Sequence, residues 1–148
     1  MTARLLAVFA AAFLWAKMEE EIEGEHGWAE SLPTWRIDNH PLLNLLMNGR
    51  PMTGYHLWAF SFIFFAFHLA LIGAGSWSWR AECAALGSIS LFWVLEDFIW
   101  FMVNPYFGWR RYRRQDVSWH RSWWLGLPAD HWGLIAMSVI FLALSRRS

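Results

Sequence analysis

The chain has 148 residues, 57% of them hydrophobic and 19% aromatic, with 13 Trp and a balance of 12 basic against 12 acidic side chains. Its 16% charged fraction lies well below the ~25% of ordinary soluble domains, and zero net charge gives no reason to expect a nucleic-acid partner. A single cysteine, Cys83, excludes an intramolecular disulfide and a Cys-rich metal site.

The first apolar block is LLAVFAAAFLWA, residues 5–16, between Arg4 and Lys17. A basic start, a short apolar stretch and small residues are also the pattern of a signal peptide. We read the block as a transmembrane helix over residues 2–23, running on into KMEEEIE and stopping at Gly24. Residues 24–54 are broken by Pro33, Pro41 and Pro51, yet PLLNLLMN offers one or two apolar helical turns with Pro41 at a favourable first position. This segment is expected to be folded and interfacial. A second span covers residues 55–75, and SWSW follows as a turn with Trp77 and Trp79 at the membrane interface. A third span covers residues 80–103 and ends at Asn104–Pro105, because proline cannot continue the helix. The connection over residues 105–129 carries five Arg and four Trp. A fourth span, residues 130–146, opens with Asp130 and closes with Arg146 and Arg147, charges that suit the two ends of the helix dipole.

The expected fold is therefore one membrane domain over residues 1–148. It is an all-α integral membrane protein, a four-helix antiparallel transmembrane bundle with a folded interfacial cap of residues 24–54 and 105–129 on one face. Four Arg (4, 80, 146, 147) fall on the side of the termini and eight Lys or Arg on the other. The positive-inside rule then places the long connections in the cytoplasm and the termini outside. The lipid bilayer is the expected surround, and a homo-oligomer or a larger membrane complex a candidate assembly.

Polar residues crowd onto the end that carries the cap. The first helix brings Glu19, Glu20, Glu21 and Glu23; the second brings His56; the third brings Glu96 and Asp97; the fourth brings Asp130 and His131. Five of six His lie at this end, His68 being the exception. Asp97 precedes Asn104 by seven residues, which puts it ~10 Å below the helix end at ~1.5 Å per residue. An ionised carboxylate at that depth needs a partner, a hydrated pocket or a metal. Cys83, Ser90, Asp97 and Asn104 recur every two turns as one stripe; His131, Ser138 and Ser145 do so on the fourth helix, and Gly54, Ser61, His68 and Gly75 on the second. His56 falls about 160° from the His68 stripe, so the two cannot both face one centre.

Carboxylates and imidazoles from several helices are the ligand types of iron, zinc or manganese sites. The expected metal set is Glu19, Glu23, His56, Glu96, Asp97, His120 and His131, with Glu96 and Asp97 as ligands or general base. The connection WHRSWWLGLPADHW, residues 119–132, is read as a lid that folds His120 and His131 onto one centre. Two competing readings of the acids stay open: ion pairs with Arg110, Arg111, Arg113 or Arg114, and a protonatable relay without metal. His68 is expected to hydrogen-bond across helices to Ser90 or Ser138.

No Gly-rich phosphate loop, nucleophile elbow, HExxH or CxxC occurs in the sequence. The leading functional expectation is a small membrane-embedded metalloenzyme for an apolar or amphipathic substrate, with a divalent metal as cofactor. The alternatives are a proton- or cation-coupled small transporter and an accessory subunit of a larger complex.

Overall fold

The computed structural model describes residues 2–146; the expected end signal at Arg147 lies outside them. The protein is mostly helical, with five helices and two small antiparallel β-pairs among the described residues. Helix α1 spans Thr2–Glu23, α2 Pro41–Leu46, α3 Gly54–Gly73, α4 Trp79–Val103 and α5 Ala129–Leu144. Two of them, α3 and α4, are long and apolar enough to cross a membrane. The remaining long helices differ from the expected spans for identifiable reasons. Helix α1 closes on a run of glutamates, and α5 has 16 residues. At ~1.5 Å per residue α5 reaches about 24 Å, short of a ~30 Å hydrocarbon core.

Helix α4 is the centre of the packing and contacts α1, α5 and α3. Small residues make this possible. Helix α4 buries Cys83, Ala84, Gly87 and Ser88, and α1 buries Val8, Ala12 and Ala16, spaced four apart so that they share one face. A Cβ at Gly87 would lie 2.8 Å from Leu142 Cγ and 3.0 Å from its backbone nitrogen, so α4 and α5 approach closely only because that atom is missing. Toward the cap, the small residues give way to a buried cluster that includes Phe92, Ile99, Trp100 and Phe101. The opposite faces stay apolar and exposed, with Leu6 and Leu14 on α1, Phe62 and Ile72 on α3, and Val139 and Ile140 on α5.

Both connections are folded. The first contains α2, where Pro41 takes the first turn and His40 Nδ1 accepts the Leu43 amide at 3.4 Å. The β-pairs were not expected from sequence: β1 (Arg36–Ile37) pairs with β2 (Met52–Thr53), and β3 (Trp123–Trp124) pairs with β4 (Leu127–Pro128). Strands of two residues carry too little periodicity to be read directly. The second pair turns through Leu125 and Gly126, both at positive φ (48° and 83°), the backbone hand that two-residue hairpins need. That turn folds the 119–132 segment back on itself.

The polar stripes divide unequally. Cys83, Ser90 and Asn104 are buried on α4, as are His131 and Ser138 on α5. The buried residues of α3 are Gly54, His56, Ala59 and Ile63, so of the expected stripe Gly54 is buried while Ser61 and Gly75 are exposed. His68 therefore belongs elsewhere. Its Nε2 lies 3.1 Å from Glu82 Oε1, and Trp77 Nε1 donates to Glu82 Oε2 at 3.0 Å. The expected partners Ser90 and Ser138 are replaced by an acid at the far end of α4.

Candidate metal centre

Asp97 comes from the last third of α4, His131 from the first turn of α5, and His120 from the connection between them. The hairpin brings the two histidines together although eleven residues separate them, with ring centroids 5.7 Å apart. His131 Nε2 lies 3.2 Å and His120 Nε2 3.4 Å from the same atom, Asp97 Oδ2. One ligand atom from each of the three residues lies within 4.8 Å of the others. Both histidines are almost fully buried.

These separations could hold a metal ion. Asp97 Oδ2 and both ring nitrogens of His120 are buried without a hydrogen-bond partner, since the contacts have ion-pair distance but not hydrogen-bond geometry. Four ligands at ~2.0–2.1 Å on a tetrahedron stand about 3.3 Å from each other. The two Asp–His spacings match that edge. A buried polar atom left unpaired costs about 1–3 kcal/mol, and Asp97 Oδ2 with His120 Nε2 faces a point that could hold a cation.

Of the two outer nitrogens, only that of His131 has a partner at hydrogen-bond distance. His120 Nδ1 faces Asp130 Oδ1 at 3.8 Å, and His131 Nδ1 faces the Tyr112 hydroxyl at 3.4 Å. A ligating imidazole typically uses one nitrogen for the metal and donates the other N–H to a carboxylate or another oxygen, which fixes its tautomer. Asp130 is held in turn. Arg50 Nη2 forms an ion pair with its Oδ2, and Asn48 Nδ2 donates to its Oδ1 at 3.0 Å. Arg50 is itself buried, lies 4.0 Å over the Trp28 ring and donates from Nε to the Met47 carbonyl at 2.8 Å.

Asn48 ties the two connections together. Its Oδ1 accepts the Ser122 amide at 3.0 Å, its Nδ2 donates to the Ser122 carbonyl at 2.9 Å, and its own carbonyl accepts the Arg121 amide at 3.2 Å. Its φ is +51°, a conformation that asparagine tolerates better than most residues. Trp119 closes the top by stacking on Phe101 at 5.8 Å, and a Cβ at Gly27 would run into its indole.

Burial governs the protonation of His120. Burial pushes its pKa below the ordinary value of 6.5, while the Asp97 and Asp130 carboxylates oppose the shift in part. The ring is accordingly neutral at neutral pH, the form that binds metal. Burial, together with the charges of Asp97 and Asp130, holds the Tyr112 hydroxyl well above its usual range. It stays protonated and can accept from a His131 Nδ1–H.

Of the seven residues expected in the metal set, Asp97, His120 and His131 form the convergent group. Glu19, Glu23, His56 and Glu96 line the adjoining cavity of about 460 Å³ without entering that group. His56 is engaged by Thr53 Oγ1 at 2.7 Å and stacks on Trp28 with centroids 3.8 Å apart. The Arg-rich run does not cap the acids. Arg113 pairs with Asp116 at 2.6 Å, Arg111 donates to the Tyr106 carbonyl at 2.5 Å, and Arg110 and Arg114 are exposed. The sequence did not single out Tyr112, Asn48 or Arg50, and it placed Asp130 at the polar cap end but outside the expected metal set. The Asn48–Gly49 pair was a legible turn signal; nothing local connects it to Ser122. No family model, curated protein or solved structure matches the chain.

Proposed function

We propose that the protein is a small membrane-embedded metalloenzyme with a two-histidine, one-carboxylate centre at Asp97, His120 and His131. The observation that carries the reading is the approach of two buried imidazoles to one carboxylate oxygen, His131 Nε2 at 3.2 Å and His120 Nε2 at 3.4 Å from Asp97 Oδ2. Such a triad leaves coordination positions open, as in catalytic rather than structural sites, and suits iron, zinc or manganese. The cavity beside it is lined by Leu45, Leu46, Leu134 and Met137 as well as by acids, which fits an apolar or amphipathic substrate. Glu96, next to Asp97 and lining the cavity, is placed to act as general base on a substrate bound there.

Four spans remain the arrangement this reading uses. Helices α1 and α5 lie along α4 and expose apolar side chains on their outer faces, which favours lipid over water as their surround. The Trp-rich cap then lies at the headgroup level, with the long connections cytoplasmic and both termini on the other side.

Metal analysis of the protein purified in non-ionic detergent and supplied with Fe(II), Zn(II) or Mn(II) tests the proposal. About one tightly bound ion per chain is expected, lost in His120→Ala and Asp97→Asn. A wild-type protein that retains none of the three ions would rule the metalloenzyme out. The hydrogen bond from Tyr55 to Glu19, 2.8 Å, links α3 to the cavity acids and favours a proton- or cation-coupled transporter as the second reading. Chelator-resistant, pH-dependent flux in liposomes would select it.

A further inference from the structure

A second cleft opens on the cap, between the Gly49–Pro51 turn and residues 114–121, with a volume of about 510 Å³. Local folding sets arginines on its walls. Val117 and His120 are buried and pin the 114–121 segment inward, while Arg114, Ser118 and Arg121 of the same segment stay exposed. Arg121 is positioned further. Its amide donates to the Asn48 carbonyl at 3.2 Å. Its side chain lies across Gly49, where a Cβ would stand 2.8 Å from Nε and 3.1 Å from Cδ. Gly49 has a φ of +82°, so glycine supplies both the turn and the space for the guanidinium stem.

No aspartate or glutamate lines this cleft. Arg50 borders it, but that charge is met by Asp130. Arg114 and Arg121 differ. Among the described residues neither guanidinium has a hydrogen bond or an ion pair. Asp116, two residues from Arg114, is taken by Arg113. Two guanidinium groups without a counter-charge therefore share one concave surface, an arrangement that repels itself and attracts an anion. The cavity beside Asp97 has the opposite character, since carboxyls line it.

We propose that this cleft binds a phosphomonoester, its oxygens held by Arg114 and Arg121. A guanidinium is a planar fork of donors that matches phosphate in bidentate fashion. Two forks match the three acceptor oxygens and the charge of about −1.5 to −2 that a phosphomonoester carries near neutral pH. A carboxylate or a phosphodiester brings only one charge. The Ser118 hydroxyl lines the same cleft and offers another donor. The volume leaves room for the group esterified to the phosphate. With the cap at the headgroup level, the nearest source is an anionic membrane lipid; a water-soluble phosphomonoester presents the same chemistry. The site uses none of the Asp97, His120 and His131 ligand atoms.

Calorimetric titration of the detergent-purified protein tests this, at about 0.1 M salt and with protein-free micelles subtracted. The ligands are short-chain phosphatidic acid, phosphatidylcholine of equal chain length, and sodium phosphate. Phosphatidic acid is expected to bind at least about tenfold tighter than phosphatidylcholine, and Arg114→Gln and Arg121→Gln should each weaken it by about tenfold. Both side chains are exposed and unbonded, so both variants should keep the wild-type melting temperature. Arg110→Gln removes an exposed charge outside the cleft and should leave the affinity unchanged. Equal binding of the two lipids overturns the proposal. So does an Arg110→Gln loss as large as that of Arg121→Gln, which would mean diffuse surface charge. Sodium phosphate that binds as tightly as phosphatidic acid, with the same arginine dependence, keeps the cleft and assigns it a soluble ligand. Asp97→Asn should lose the metal and keep the phosphatidic acid affinity, so the metal centre and the cleft fail separately.

Discussion

His131 Nε2 stands 3.2 Å from Asp97 Oδ2, yet that buried oxygen has no hydrogen-bond partner. His120 Nε2 approaches the same oxygen at 3.4 Å with the same result. One carboxylate oxygen between two buried imidazoles is an arrangement that could hold a metal ion.

The outer partner of His120 is open to a direct test. Asp130→Asn keeps the side-chain shape but removes the carboxylate that faces Nδ1 and pairs with Arg50. Loss of such a partner typically lowers metal affinity about 10- to 100-fold. Competition titration with a chelator should show that drop while one ion per chain still binds at saturation. Unchanged affinity would mean that Asp130 serves Arg50 and not the metal.

Asn48→Ala should be among the most destabilising single changes in the cap. It leaves the Ser122 amide and carbonyl without their partners and puts alanine at a φ of +51°. Each buried group left unpaired costs about 1–3 kcal/mol, and the left-handed backbone adds about 1 kcal/mol. A loss of about 3 kcal/mol is expected in detergent unfolding, together with weaker metal binding because His120 loses its anchor two residues away.

Gly87→Val tests the contact that sets the distance between α4 and α5. Its added atoms meet the Leu142 side chain and backbone nitrogen, and overpacking of this kind costs about 1–3 kcal/mol. Asp97 and His131 sit on those two helices. The melting temperature should fall, and metal affinity should fall with it, although residue 87 is almost three helical turns from Asp97. Gly73→Val, at a position with open space around it, is the control and should leave both unchanged.

Acidification should weaken the metal-free protein through His120. Its folded pKa is depressed from 6.5 by burial, so the unfolded chain takes up the proton first. Stability is then fully present above about pH 6.5 and declines as pH falls from there toward the folded value. His120→Gln should flatten that slope in a pH series of unfolding midpoints. An unchanged slope would assign the acid sensitivity to other groups.

Topology is tested in a Cys83→Ala background, the native thiol being buried. Cysteines placed at Gln115 and at Ser76 should react with an impermeant thiol reagent from opposite sides of sealed vesicles. Labelling of both from one side would refute the four-span arrangement.

Much of the arrangement was legible because helical periodicity and side-chain polarity are local. The apolar blocks, the stops at Gly24 and Asn104, the turn at Pro41 and the gathering of acids and imidazoles at one end follow from residue order and 3.6-residue geometry. The same geometry showed that His56 and His68 cannot share a centre, and the tertiary structure assigns the buried face to His56. It could not choose a partner for Asp97. The arginines of residues 110–114 are nearer to Asp97 in sequence than either histidine of the lid, and sequence distance did not decide the partner. The choice depends on where the Leu125–Gly126 turn sends the chain and on Asn48 reaching Ser122, 74 residues away. The Asn48 contact is long-range, made by its side-chain amide with the backbone of Ser122, and only packing decides which backbone that amide meets. The sequence by itself determined which chemistry is gathered at the cap end. Tertiary structure decided that Asp97 meets two imidazoles instead of guanidinium groups, because the hairpin buries His120 and leaves Arg110 and Arg114 at the surface.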